Sequence, residues 1–287
     1  MTTIQWFPGH MAKAKRQIAA RLKLTDIVFE LRDARAPKTT MNPMLMELIG
    51  NRPRIVLLTK ADLADKKPLD AWLSHLKKQD ISAMAINAKA GLPVDALVKE
   101  SRRLLKDKLD KDAKRGLKPR PLRAMIVGVP NVGKSTLINK LVSRRATNVG
   151  AVPGITKHLQ VIRIHEDLEL LDTPGLLWPK FDDQEAAKKL VLIGSLKDSV
   201  VALDDVVISA FTFLATHYKQ AFDARYGIDA DPDNPMDIFD AIGKRRGCLK
   251  KGGEIDYDRV MEIFLDDFRN ARFGSVMLDV LEDDADV

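Results

Sequence analysis

The segment Gly128-Val129-Pro130-Asn131-Val132-Gly133-Lys134-Ser135 places two glycines, a lysine and a hydroxyl at the spacing of a phosphate-binding loop, G-x-x-x-x-G-K-[ST]. Glycines at those positions let successive backbone N–H groups wrap a polyphosphate. Lys134 reaches the β and γ phosphates, Ser135 can ligate Mg²⁺, and Val132, Gly133 and Thr136 complete the cradle. Further on stands Asp172-Thr173-Pro174-Gly175. There Asp172 can hold Mg²⁺ through its water shell, and the Gly175 N–H can sense a γ phosphate. Between the two, Pro153-Gly154-Ile155-Thr156 offers a loop whose Thr156 hydroxyl is the natural second Mg²⁺ ligand. Asp-x-x-Gly alone is a common turn, and Pro153 to Thr156 alone is a surface loop. Their positions after the phosphate loop give them meaning as a set.

A second group of residues bears on the choice of base. Thr59-Lys60-Ala61-Asp62 resembles the guanine motif Asn-Lys-x-Asp, and Asn87-Ala88-Lys89 resembles the Ser-Ala-Lys loop whose backbone N–H meets guanine O6. An aspartate can accept from guanine N1–H and the exocyclic amine, a pair of donors that adenine lacks, while a lysine stem lies along the ring. Thr59 departs from the usual asparagine, which leaves open how this loop is tied down. Each tripeptide is weak by itself, and together they gain weight from sitting at the ends of consecutive strands.

These groups need a scaffold that brings them to one edge. Ile27 to Leu31, Arg54 to Leu58, Ile81 to Ile86 and Ala124 to Val127 read as strands, several too continuously apolar to have a wet face. Asn42 to Ile49, Asp70 to Lys78, Val94 to Leu109 and Lys134 to Leu141 read as helices between them. The pattern is α/β, with a parallel sheet covered on both faces. Leu159 to Ile164 and Leu168 to Leu171 read as a hairpin ending at Asp172. Lys106 to Arg123 is a helix end running into a charged connector. Beyond about Phe181 the pattern becomes helical: Asp183 to Ile193, Val206 to Phe222, Pro235 to Arg246 and Tyr257 to Phe273, with Asn234 and Asp256 as N-caps and Gly274 as a stop. The expected domains are 1–180, divided into halves 1–113 and 121–180, and an all-α domain, 181–287.

Composition narrows the class. A chain of 287 residues, 45% hydrophobic and 30% charged, can bury a substantial core and reads as a folded soluble protein. The uncharged run between Asp205 and Lys219 is too short to cross a bilayer. One cysteine, Cys248, excludes an internal disulfide and suits a small buried apolar residue. The opening Met1 to His10 has no basic segment followed by an apolar one, so a cytoplasmic location is expected. Forty-seven Lys and Arg against 40 Asp and Glu favour a polyanionic partner.

The order of the motifs is the most informative feature. In ordinary small GTPases the phosphate loop comes first and the guanine motifs last; here Thr59 to Asp62 and Asn87 to Lys89 precede Gly128 to Ser135. The order is that of a circularly permuted P-loop GTPase domain. With Trp6-Phe7-Pro8-Gly9-His10-Met11, Asp33-Ala34-Arg35-Ala36-Pro37 and Arg245-Arg246-Gly247-Cys248-Leu249, the chain resembles the ribosome biogenesis GTPase A family over nearly its whole length. The resemblance implies a GTP- and Mg²⁺-dependent factor in late maturation of the large ribosomal subunit, with a helical C-terminal domain that contacts ribosomal RNA. Lys13, Lys15, Arg16, Arg21 and Lys23, and Lys244, Arg245, Arg246, Lys250 and Lys251, are the basic groups suited to RNA phosphates. Nothing in the sequence sets the oligomeric state; a monomer is the working expectation.

Catalysis is less legible. Leu176 stands where Ras-like enzymes carry a water-orienting Gln, so slow intrinsic turnover is expected. The resemblance makes His10 the candidate to position water, with a packing or RNA-docking role for Trp6 to Met11 as the alternative. His158 is a weaker candidate. Asn131 resembles the phosphate-loop Asn of potassium-activated GTPases, and a plain turn role competes with K⁺ binding. Two rival readings stay open: a non-catalytic, nucleotide-gated RNA-binding adaptor, and a P-loop ATPase or nucleotide kinase.

Overall fold

The computed structural model describes residues 8–87, 90–149, 161–171 and 183–281, with 8–14 and 142–149 as helical backbone. Of these, the chain forms two compact units: an α/β unit of 8–62, 66–149, 161–171 and 279–281, and a helical unit of 63–65 and 183–278.

In the α/β unit, helix α1 (Pro8–Leu22) leads into β1 (Ile27–Asp33), followed by α2 (Pro43–Ile49), β2 (Arg54–Thr59), α3 (Lys66–Lys78) and β3 (Ser82–Ala85). Then come α4 (Val94–Leu104), α5 (Lys106–Lys114), β4 (Leu122–Gly128), α6 (Lys134–Val149), β5 (Val161–His165) and β6 (Leu168–Leu171). The six strands form one sheet in the order β3-β2-β1-β4-β6-β5. All neighbours are parallel except β5, which pairs antiparallel with β6 as the expected hairpin. Because β1 lies between β2 and β4, every one of its residues is buried. That is the physical reason for its near-continuous apolar run. Two charges within it neutralise each other: Arg32 Nε donates to Glu30 Oε1 at 2.6 Å. On one sheet face Ile18 and Leu22 of α1 and Leu45 and Ile49 of α2 pack over Val28, Met125, Val127 and Leu171. Each such buried aliphatic side chain contributes roughly 2 kcal/mol.

The connector between the two halves is shorter than its charge suggests. The helix expected over Val94 to Leu109 breaks at Leu105, which is 3% exposed, and resumes as α5 to Lys114. Asp26, just before β1, fastens this region: its carboxylate accepts from Lys108, from Arg120 and from the Arg123 N–H. Burial alone would raise the Asp26 carboxyl, but these donors hold it down at about 2.

The helical unit contains α7 (Gln184–Leu192), α8 (Leu203–His217), α9 (Lys219–Tyr226), α10 (Pro235–Arg246) and α11 (Tyr257–Arg269). Phe211 of α8, fully buried, is its centre, with the rings of Phe239 and Phe264 at 4.8 Å and Phe222 at 5.7 Å. The single helix expected over Val206 to Phe222 turns at Tyr218, whose hydroxyl accepts from the Met277 N–H at 3.1 Å. Asp256 caps α11 by accepting from the Arg259 N–H. Asn234 is the N-cap residue of α10 but makes no side-chain cap bond; its amide donates to Asp231 at 2.6 Å. Helix α11 ends at Arg269, ahead of Gly274, where Asn270 and the left-handed Ala271 turn the chain. Cys248 is fully buried, as expected. Among the described residues no helix is long and apolar enough to cross a membrane.

Candidate nucleotide site

The carboxyl ends of parallel strands are where α/β sheets bind ligands, because the following loops and helix N-termini point their N–H groups there. At that edge β4 ends in Gly128 and α6 begins at Lys134, so the whole phosphate-loop segment spans the strand-to-helix turn. A Cβ at Gly128 would lie 2.7 Å from the Leu31 carbonyl oxygen of β1, so only glycine lets the loop pass this close to the neighbouring strand. Gly133 has φ +104°, in a region side chains avoid, and Asn131 adopts φ +56°, which asparagine tolerates. Lys134 is buried, and its ammonium donates to the Gly128 and Val129 carbonyls at 2.9 and 2.8 Å. This places the charge inside the mouth of the loop. Ser135 and Thr136 are exposed in the first turn of α6, where N–H groups have no helical partner.

The guanine-type loop stands two strands away at the same edge. Thr59 ends β2 and is fully buried; its hydroxyl donates to the Val132 carbonyl at 2.6 Å, with the Arg32 carbonyl 3.0 Å away. The loop-fixing contact left open by the loss of asparagine is therefore made by threonine, directly onto the phosphate loop. Lys60 follows with φ +56°, and Asp62 lies exposed in the 3₁₀ turn Ala61–Leu63. The Ala61 N–H donates to the Ile86 carbonyl at 3.2 Å, which joins this loop to the one after β3. There Asn87 closes a turn, accepting from Ala90 and Gly91 N–H on its carbonyl.

Thr59, Lys60, Asp62, Asn87, Asn131, Val132, Gly133, Lys134, Ser135 and Thr136 thus all lie on the loops and helix start at one sheet edge. Ala88, Lys89, Thr156, Asp172, Gly175 and the neighbouring Leu176 and His158 lie outside the described residues; β6, whose end Asp172 would follow, is beside β4. His10 falls in the first turns of α1, described as backbone.

Two charged residues at this edge had no assigned role in the sequence. Asp33, at the end of β1 and fully buried, accepts from Arg35 and pairs with Lys60 at 2.8 Å. Burial would raise its carboxyl; the adjacent Arg35 guanidinium and Lys60 ammonium outweigh that and bring it to about 2. The available signal was a cluster of charges ending an otherwise apolar buried strand.

In the helical unit, Lys244, Arg245 and Arg246 occupy the last turn of α10, which Gly247 closes in the left-handed conformation. A single antiparallel bridge between Leu249 and Ile255 then carries Lys250 and Lys251 on an exposed turn with Gly252 and Gly253. Arg246 lies 5.3 Å over the Tyr226 ring.

A family model described as "50S ribosome-binding GTPase" matches residues 123–224. Ribosome biogenesis GTPase A of Priestia megaterium is 49% identical over 278 residues, which cover 96% of this chain and 96% of that protein. The protein of the same name from Thermotoga maritima is 37% identical over 280 residues, covering 98% and 95%. Among solved structures, GDP-bound YlqF and GNP-bound YlqF from T. maritima each give a TM-score of 0.66 at 30% identity over 93% of this chain and 100% and 98% of theirs. With guanine-type loops ahead of a phosphate loop, a helical region after them and relatives this similar end to end, the chain belongs to the ribosome biogenesis GTPase A family of circularly permuted GTPases.

Proposed function

We propose that this GTPase acts in late maturation of the large ribosomal subunit, cycling between a GTP form that docks on the subunit's ribosomal RNA and a GDP form that leaves. The observation that carries the nucleotide half of this reading is the Thr59–Val132 hydrogen bond, which couples the base-selecting loop to the phosphate loop. The ribosomal half is supported by the names of its relatives and of the matching family model.

In the proposed site, N–H groups of Asn131 to Thr136 and the Lys134 ammonium hold the β and γ phosphates, and Asp62 with Lys60 and the Asn87 to Lys89 loop selects guanine. Mg²⁺ neutralises developing phosphate charge when bound. Ser135, exposed at the start of α6, has the hydroxyl oxygen that suits this hard cation, with Thr156 and Asp172 as its companions. Gly175 reports the γ phosphate. Leu176 cannot orient water, so His10 is assigned that task and Asn131 is assigned a K⁺ ion that supplies charge. The basic turn of α10 and Lys250–Lys251, with the α1 lysines and arginines, contact RNA phosphates.

The test is GTP turnover in potassium buffer with and without purified large subunits, with ATP as control. Stimulation for GTP alone supports the reading. GTP turnover indifferent to the large subunit, but raised by another RNA particle, refutes the assignment to the large subunit.

A further inference from the structure

The turn Asp33-Ala34-Arg35-Ala36-Pro37 makes no phosphate or metal ligand in the reading above, yet it is among the most completely built parts of the α/β unit. Every residue from Leu31 to Pro37 is buried. Asp33 Oδ1 accepts from the Arg35 N–H at 3.1 Å and from Arg35 Nε at 3.0 Å, and Oδ2 accepts from Arg35 Nη2 at 3.0 Å. The Asp33 N–H donates to Thr40 Oγ1 at 3.1 Å, and that hydroxyl donates onward to the Ala36 carbonyl at 2.6 Å. The Ala34 N–H donates to the Thr59 carbonyl at 2.8 Å, so the turn is also bonded to the backbone from which the base-selecting loop departs.

Within this frame the Arg35 guanidinium already neutralises the Asp33 carboxylate in the two-toothed geometry that needs no further cation. The carboxylate nevertheless takes a second one. Lys60 Nζ lies 2.8 Å from Oδ2, with its side chain 25% exposed, so that the ammonium is held against the buried carboxylate although water is within reach. Lys60 also holds φ +56°, a left-handed conformation that non-glycine residues rarely adopt and that persists only where surrounding contacts impose it. Register explains how the contact arises: Asp33 of β1 sits opposite Thr59 of β2, so the residue after Thr59 meets the Asp33 carboxylate as soon as the strand ends.

We infer that Asp33 is a positioning residue for the guanine base: it draws the Lys60 ammonium down onto the end of β1, which lays the lysine stem along the base and holds Asp62, two residues on, at the base's edge. The inference rests on the assignment of Thr59 to Asp62 as the guanine loop. It gives the Asp33 to Pro37 turn a task in nucleotide selection that its position between strands does not announce.

The experiment measures affinity for GDP, IDP and ADP by the wild type, Asp33→Asn, Lys60→Met and the double variant, with thermal melting alongside. IDP lacks the exocyclic amine, so the GDP to IDP ratio reads how well Asp62 is aimed and is not moved by a general loss of stability. Asp33→Asn is expected to weaken GDP about tenfold and to shrink the GDP to IDP ratio, with the double variant no weaker than the worse single. A folded Asp33→Asn with an unchanged ratio, or losses that multiply in the double variant, overturns the inference while leaving the guanine loop in place. A wild type that prefers neither GDP nor IDP over ADP overturns the guanine loop itself, and the inference with it. Should Asp33→Asn fail to fold, ¹⁵N NMR of the wild-type lysine ammonium groups decides. A Lys60 resonance in slow exchange with water, lost in Lys60→Met, supports the anchor, and solvent-like exchange refutes it.

Discussion

The Thr59 hydroxyl donates to the Val132 carbonyl across 73 residues of chain, at 2.6 Å and out of contact with water. Thr59→Val keeps the shape of the side chain and removes the donor, leaving a carbonyl of the phosphate loop without that partner in a dry site. A loss of about 1–3 kcal/mol is expected. Urea melts of the two proteins measure it, and equal midpoints would mean that the bond contributes nothing.

Lys134→Ala and Asp62→Asn should fail in different ways. The first removes the ammonium held in the mouth of the phosphate loop and should abolish tight binding of any nucleoside triphosphate. The second should weaken GTP and spare xanthosine triphosphate, whose base has a carbonyl in place of the amine. Titrations with both nucleotides separate the two, and parallel losses of GTP and xanthosine triphosphate in Asp62→Asn would count against its role in base choice.

Asp26 and Asp33 both have carboxyls lowered from the usual 3.8 to about 2 in the folded protein. A group lowered on folding contributes its full stabilisation above its unfolded value and loses it as pH falls through the folded one. Stability should therefore be flat above about pH 5 with respect to these two and decline between about pH 4 and pH 2. Asp26→Asn should flatten part of that limb, because it removes the partner of Lys108 and Arg120. Melting temperatures across this range for wild type and variant give the answer.

Asp279 closes the α/β unit from the far end of the chain. Its carboxylate accepts from the Thr39 N–H at 2.7 Å and the Thr39 hydroxyl at 2.9 Å, and its carbonyl accepts from the Trp72 indole at 2.5 Å. Asp279 is 5% exposed and Thr39 8%. Asp279→Ala leaves two buried donors without this acceptor, and a drop in melting temperature of several degrees is expected. Asp279→Asn, which keeps one acceptor oxygen, should lie between alanine and wild type; a drop in asparagine equal to alanine would show that a single acceptor oxygen recovers none of the stability.

Much of the architecture was legible because it follows from local pattern. The buried strands announce themselves by apolar runs, the phosphate loop by glycine spacing between a strand and a helix, and the permuted order by simple position along the chain. The errors fell where distant groups recruit local ones. Tyr218 interrupts a helix that its periodicity would continue, and its hydroxyl there accepts from the Met277 N–H; Leu105, buried, interrupts another. Asn234 does stand at the N-cap of α10, but it makes no side-chain cap bond, and its amide donates locally to Asp231.

Residue type and spacing by themselves determined where the phosphate-loop pattern Gly128 to Ser135 falls, that the loops resembling guanine motifs precede it, and that a helical region follows. Short-range chemistry suffices for these, since each depends on neighbours within a few residues. Tertiary structure alone decided how threonine replaces asparagine at position 59, why Asp33 holds both Arg35 and Lys60, and that Asp279 returns to Thr39. Those contacts exist because sheet register sets Asp33 beside Thr59 and because the folded chain brings together residues as far as 240 apart. A hydrogen bond of that span has no periodicity to betray it.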